Sequence, residues 1–228
     1  MFSDADLIAL FLTLKLAGIS TLVLLVLGTP LAWWLANSQW RFRFLVEAMV
    51  ALPLVLPPTV LGFYLLVALS PSSFLGQTFE AVFGQSLAFS FTGLVLGSVI
   101  YSLPFVIQPL QNAFVAIGTR PLEVAASLGS SPMDRFCSIV VPLARQGFLS
   151  AMILGFAHTL GEFGVVLMIG GNIPGETQVA SIAIYQHVES LQLASAHWLS
   201  AALLVISFTL LIIVYAANPK ARVLRWSK

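Results

Sequence analysis

Residues 16–40 read Leu16-Ala17-Gly18-Ile19-Ser20-Thr21-Leu22-Val23-Leu24-Leu25-Val26-Leu27-Gly28-Thr29-Pro30-Leu31-Ala32-Trp33-Trp34-Leu35-Ala36-Asn37-Ser38-Gln39-Trp40, with no Asp, Glu, Lys or Arg. About 20 apolar residues in a helix cross the roughly 30 Å of hydrocarbon in a bilayer. The run is therefore long enough to span a membrane. Four more stretches lack charge: 48–79, 81–119, 146–161 and 190–219. Across all 228 residues, 59% are apolar and 8% charged, and the mean hydropathy is +0.99. A soluble domain carries about 25% charged residues, and a disordered chain is poor in apolar ones. Both classes are excluded, so the sequence predicts an all-α polytopic membrane protein.

Five spans are expected, over 7–36, 45–69, 87–116, 148–169 and 193–217. With their connections they use the whole length, so 1–228 reads as a single transmembrane domain. Two shorter segments, 74–83 and 179–191, read as amphipathic pieces lying on the surface. The acidic start, Met1-Phe2-Ser3-Asp4-Ala5-Asp6, lacks the basic region of a signal peptide. The first apolar segment is expected to be retained.

Basic residues set the orientation, because Lys and Arg favour the cytoplasmic side. Arg41 and Arg43 follow the first span, and Arg120, Arg135 and Arg145 the third. Lys220, Arg222, Arg225 and Lys228 end the chain. The opposite side has Lys15 together with Asp4, Asp6, Glu80, Glu176 and Glu189. The N-terminus is thus expected outside and the C-terminus inside. Trp33, Trp34, Trp40 and Trp198 fall near span ends, as interfacial rings or as lipid-facing bulk. A net charge of +1 offers no field for nucleic acid. One cysteine, Cys137, excludes an internal disulfide and a Cys-rich metal site.

Residues 117–147 are the most polar stretch, and they are patterned. Thr119 can cap a helix, with Pro121 in its first turn and Glu123 favouring its N-terminus. Leu122, Ala125, Ala126 and Leu128 make a small apolar face. Gly129 suits a left-handed helix end. Ser131-Pro132 can start a second helix bearing Phe136, Ile139 and Val140, which Pro142 ends. The expected product is helix–Gly turn–helix, a compact knob in the cytosol. Glu123 and Arg135 are placed to pair with charges of a partner.

Glu123-Val124-Ala125-Ala126-Ser127-Leu128-Gly129, followed by Ile139 and Pro142, resembles the EAA loop of ABC importer permeases. Val124 and Val141 depart from its Ala and Leu. Residues 52–63, Leu-Pro-Leu-Val-Leu-Pro-Pro-Thr-Val-Leu-Gly-Phe, are similar to molybdate-type permeases. So is His158-Thr159-Leu160-Gly161-Glu162-Phe163-Gly164. The similarity covers nearly the whole chain and implies a type I importer permease fold in the bacterial inner membrane. It implies import of molybdate, with tungstate, sulfate or thiosulfate as alternative cargo. In that family the loop docks on an ATPase subunit. The resemblance therefore assigns ATPase coupling to Glu123, Ala125, Ala126, Gly129, Ser131, Arg135, Ile139 and Pro142.

No G-x-x-x-x-G-K-[ST] stretch is present to cradle ATP phosphates. The chain is therefore expected to bind no cofactor, with ATP and Mg on two copies of a partner ATPase. Five spans are few to enclose a path, so a second copy of the chain is expected. A periplasmic oxyanion-binding protein would deliver cargo, and Glu80, Glu176 and Glu189 are either solvated loop charges or part of its dock.

The polar residues kept inside the spans are the pathway and gate candidates. Pro53, Pro57 and Pro58 must bend or break the second span, as kinked packing or as part of a path. Glu162 is an acidic residue placed inside a span, and such residues are functional candidates. While ionised it would repel a dianion. It reads as a gating or structural contact, hydrogen-bonded to a neighbouring helix or a symmetry mate, or else as a group near the outer interface. His158, one turn away, can pair with it. Neutral donors available for an oxyanion are Thr59, Ser98, Ser102, Gln108, Gln111, Asn112 and Thr159. Only one of three histidines lies well inside a span, which argues against haem. A proton-coupled carrier would place more ionisable groups at mid-membrane, and a plain anchor would not need the hinged loop.

Overall fold

The computed structural model describes residues 3–217. Every regular element among them is helical. Helix α1 (Asp4–Asn37) is followed by α2 (Arg43–Val55), α3 (Pro58–Leu69), α4 (Phe74–Phe83) and α5 (Phe91–Ile117). The next connection holds α6 (Arg120–Ser127), α7 (Pro132–Arg135), a π-helical turn (Phe136–Val140) and α8 (Val141–Leu143). Then come α9 (Arg145–Leu160), α10 (Gly164–Gly170), α11 (Ala180–Glu189) and α12 (Leu193–Ala217). Helices α1, α5 and α12 are each long and apolar enough to cross a membrane. Counting α2 with α3, and Pro132–Leu143 with α9, each as one bent span gives up to five. The basic tail from Lys220 onward lies outside the described residues.

The centre is a bundle of α1, α5 and α9. Leu24, Leu35, Val106, Ile107, Leu110 and Ala151 are fully buried there. Small residues set its spacing, as expected where apolar lipid gives helices no hydrophobic reason to associate. A Cβ on Gly155 would stand 2.6 Å from Val106 Cγ2, and one on Gly147 would stand 2.3 Å from Ala113 Cβ. Trp33 is half-buried. Its ring packs edge-on against Phe114 and Phe136, at 5.3 and 5.4 Å, and fastens the connection after α5 to the bundle. Trp34, Trp40 and Trp198 are exposed.

Two spans differ from straight rods. The second breaks at Leu56-Pro57, and α2 and α3 meet at 115°. Pro53, Pro57 and Pro58 remove three backbone donors, which is the cause. The fourth does not run from 148 to 169. It begins at Arg145, stops at Leu160 and resumes at Gly164 as α10. Continuous hydropathy hid that stop. A Cβ on Gly164 would stand 2.7 Å from Pro58 Cβ, and one on Gly62 would stand 2.8 Å from Met168 Cβ. The two short segments α3 and α10 can therefore pack backbone-close.

The segment 179–191 is amphipathic and does not span, as expected, with Tyr185 and Val188 exposed, but its other face is seated in the bundle. Val179, Ala180, Ile182 and Ala183 are buried. The Ala180 amide donates to Thr13 Oγ1 at 2.8 Å, and Asp6 accepts from His187 Nε2 at 2.8 Å. Its small residues let α11 seat against α1 and α12. By contrast, α4 lies outside the bundle as expected, with Phe74, Leu75, Val82 and Phe83 exposed.

Candidate functional site: an exposed knob and a buried elbow

In the knob, α6 ends in a turn set by Gly129, whose φ is +85°. The Gly129 amide donates to the Ala126 carbonyl and the Ser130 amide to the Ala125 carbonyl. This double closure is a Schellman end, and it requires a left-handed residue at that position. Ser131 Oγ accepts the Asp134 amide at 3.2 Å and caps α7. Thr119 stands at the start of α6 but its side chain makes no capping bond. Pro142 does not stop the helix, which continues to Leu143. The intervening π turn fits the missing donor, and Val141 bonds back to the Phe136 carbonyl. The sharp bend, 72°, falls between Leu143 and Arg145.

The apolar face of the knob is only partly the expected one. Leu122 and Ala125 turn inward, with Ala125 7% exposed. Val124, Leu128 and Met133 face outward at 62%, 82% and 72% exposed. Helical spacing alone does not say which side meets the bundle, so the outward turn of Val124 and Met133 was not legible. Glu123, Ala126 and Pro142 are exposed and Ile139 is half-buried. Arg135 folds back, with Nε 3.4 Å from the Ser131 carbonyl.

The second site forms where α9 breaks. Pro58, Thr59, Tyr101, Ala157, His158, Gly161, Glu162, Phe163, Gly164 and Leu167 surround a cavity of about 620 Å³. Four expected pathway residues line it: Pro58, Thr59, His158 and Glu162. Pro57 does not, since it caps α3 at the exposed break. Ser102 and Thr159 lie buried behind His158. His158 Nδ1 is 2.9 Å from Ser102 Oγ, and Ser102 Oγ is 3.1 Å from Thr159 Oγ1. The pairing of His158 with Glu162 is not formed. Glu162 is 5% exposed, and neither carboxylate oxygen has a partner among the described residues. Ser98 Oγ is also buried without one. The elbow is held through backbone: Ser181 Oγ donates to the Glu162 carbonyl at 2.6 Å.

Tyr101 and Phe105 were missed. Their rings lie 4.7 and 3.8 Å from the His158 ring and fix its plane. Nothing distinguishes them in sequence from lipid-facing aromatics. Gln111 is not free for an anion, because it donates to Glu47 at 2.9 Å, and Glu47 also pairs with Arg43. Gln108 and Asn112 remain exposed on α5. Among the described residues, no three His, Cys, Asp or Glu side chains gather as a metal site.

A family model described as "Binding-protein-dependent transport system inner membrane component" matches residues 28–223. The chain is 57% identical over 216 residues to the molybdenum transport system permease protein ModB of Azotobacter vinelandii, covering 95% of this chain and 96% of that one. It is 34% identical over 204 residues to the sulfate transport system permease protein CysT of a Synechocystis species, covering 90% of this chain and 70% of that one. Among solved structures, a bacterial ABC transporter involved in alginate import superposes with a TM-score of 0.73. That match covers 100% of this chain and 82% of the other at 22% identity, and it establishes the fold alone.

Proposed function

The chain belongs to the family of inner-membrane components of binding-protein-dependent transport systems, and on that premise we propose that it is the permease of an ATP-driven molybdate importer. The observation that carries the reading is the 57% identity to the Azotobacter molybdenum permease over 95% of the chain. The working unit is a pair of these chains in the bacterial inner membrane, each engaged by one ATPase through the 122–140 knob. A periplasmic binding protein delivers the oxyanion. ATP and Mg act on the ATPase subunits. Their closure moves the knobs and opens the path outward.

The elbow cavity supports an anion route of modest affinity. Its lining has hydroxyls and an imidazole but no Lys or Arg. A fixed cation would hold a dianion tightly and slow its release. An ionised carboxylate would do the reverse. A unit negative charge about 8 Å from a dianion opposes it by about 4 kcal/mol at an effective dielectric of about 20. Burial does not screen this repulsion, so Glu162, 5% exposed with neither oxygen paired among the described residues, fits an anion route only as the protonated, neutral acid. Sulfate is the second reading, favoured by the likeness to the cyanobacterial sulfate permease. The test is ATP-dependent uptake of labelled molybdate by proteoliposomes holding the permease, its ATPase and its binding protein. Molybdate should compete better than sulfate. Uptake blocked by sulfate but not by molybdate would overturn the cargo assignment.

A further inference from the structure

The geometry points to His158 as a neutral N–H donor for the oxyanion, aimed by a proton relay from Thr159 through Ser102. Ser102 and Thr159 are 0% and 2% exposed, so water does not complete their hydrogen bonding. Each hydroxyl has one proton to donate. Thr13, Thr21, Thr29 and Ser207 spend theirs on the carbonyl four residues back. Thr159 does not, and Ser102 Oγ at 3.1 Å is its one side-chain partner. If Ser102 donated to Thr159, the Thr159 proton would be buried with no acceptor, an unfavourable state. Thr159 therefore donates to Ser102. Ser102 then donates to its other neighbour, His158 Nδ1, at 2.9 Å.

The consequence for the ring is definite. A nitrogen that accepts carries no proton, so the ring is neutral and its one proton sits on Nε2. Nε2 has no partner among the described residues, and the ring lines the cavity. Phe105 stacked at 3.8 Å and Tyr101 at 4.7 Å hold the ring in place. A fully ionised tetrahedral oxyanion accepts at every oxygen and matches such a donor. His158 is thus the binding group, and Ser102 and Thr159 are positioning residues. This rests on the oxyanion-transport reading.

The test has two arms on the assembled permease–ATPase complex. Imidazole ¹⁵N spectra should report the Nε2–H tautomer, in a signal that His158→Phe removes. Ser102→Ala should shift that signal toward a tautomer mixture. Molybdate uptake should be lost in His158→Phe and fall roughly fivefold to tenfold in Ser102→Ala, the change expected for one hydrogen bond. Thr159→Val should lower it less, and the double variant should match Ser102→Ala alone. An Nδ1–H tautomer in the wild type overturns the relay. Normal uptake by His158→Phe overturns the binding role even if the tautomer is as stated. Failure of the wild-type complex to take up any oxyanion would instead strike the transport reading, leaving the spectra to judge the relay.

Discussion

The knob and the elbow both sit where helices break, yet they are built in opposite ways. The knob's turn is closed by neighbours in sequence: Gly129, Ser130 and Ser131 bond within five residues of themselves. The elbow is closed by partners far along the chain, since Ser102 meets His158 across 56 residues. The knob is exposed and its Gly129 has open space around it. The elbow is packed, with Gly164 against Pro58. One region is free to be gripped by another protein. The other has no spare room where α3 meets α10.

That contrast is open to breakage by substitution. Gly164→Leu should have the largest effect. A Cβ 2.7 Å from Pro58 Cβ forces α3 and α10 apart, at about 3 kcal/mol or more. Both the amount of folded protein in membranes and its uptake should collapse, and normal levels would refute the close packing. Gly129→Val should come next. Nothing crowds it, so the loss is backbone strain of about 1–2 kcal/mol. Protein level should hold while uptake and stimulated ATP hydrolysis fall; unchanged coupling would refute the knob's role. Thr59→Val removes one neutral donor from the cavity wall. Uptake should fall by less than about tenfold with the fold intact, matching about 0.5–1.5 kcal/mol. Leu128→Asp should alter stability by no more than about 0.5 kcal/mol, since the side chain is solvent-facing. Its effect should appear only as weaker co-purification of the ATPase. A drop in thermal stability instead would place Leu128 in the core.

The same contrast explains how far the sequence could be read. The Gly129 turn and the Ser131 cap were legible because short-range chemistry decides them. The prolines announced the break in the second span for the same reason. The stop at Leu160 was hidden, since Gly161-Glu162-Phe163-Gly164 interrupts hydropathy hardly at all. The residues of the elbow were found one by one as polar groups in apolar surroundings. Their pairing was not, because His158 has a carboxylate one turn away in sequence and a serine beside it only in space. Which face of α6 turns inward depended on the central cluster that Leu122 packs against, whose residues come from several separate elements.

The 115° break between α2 and α3 has one more result. It leaves a 12-residue helix beginning at Pro58, beside the cavity. A helix start carries about half a positive charge, summed from aligned peptide dipoles. The cavity therefore borders a positive potential that belongs to no side chain. It does not titrate, so acid and alkali leave it alone. No single side-chain deletion removes it, because its source is the backbone itself.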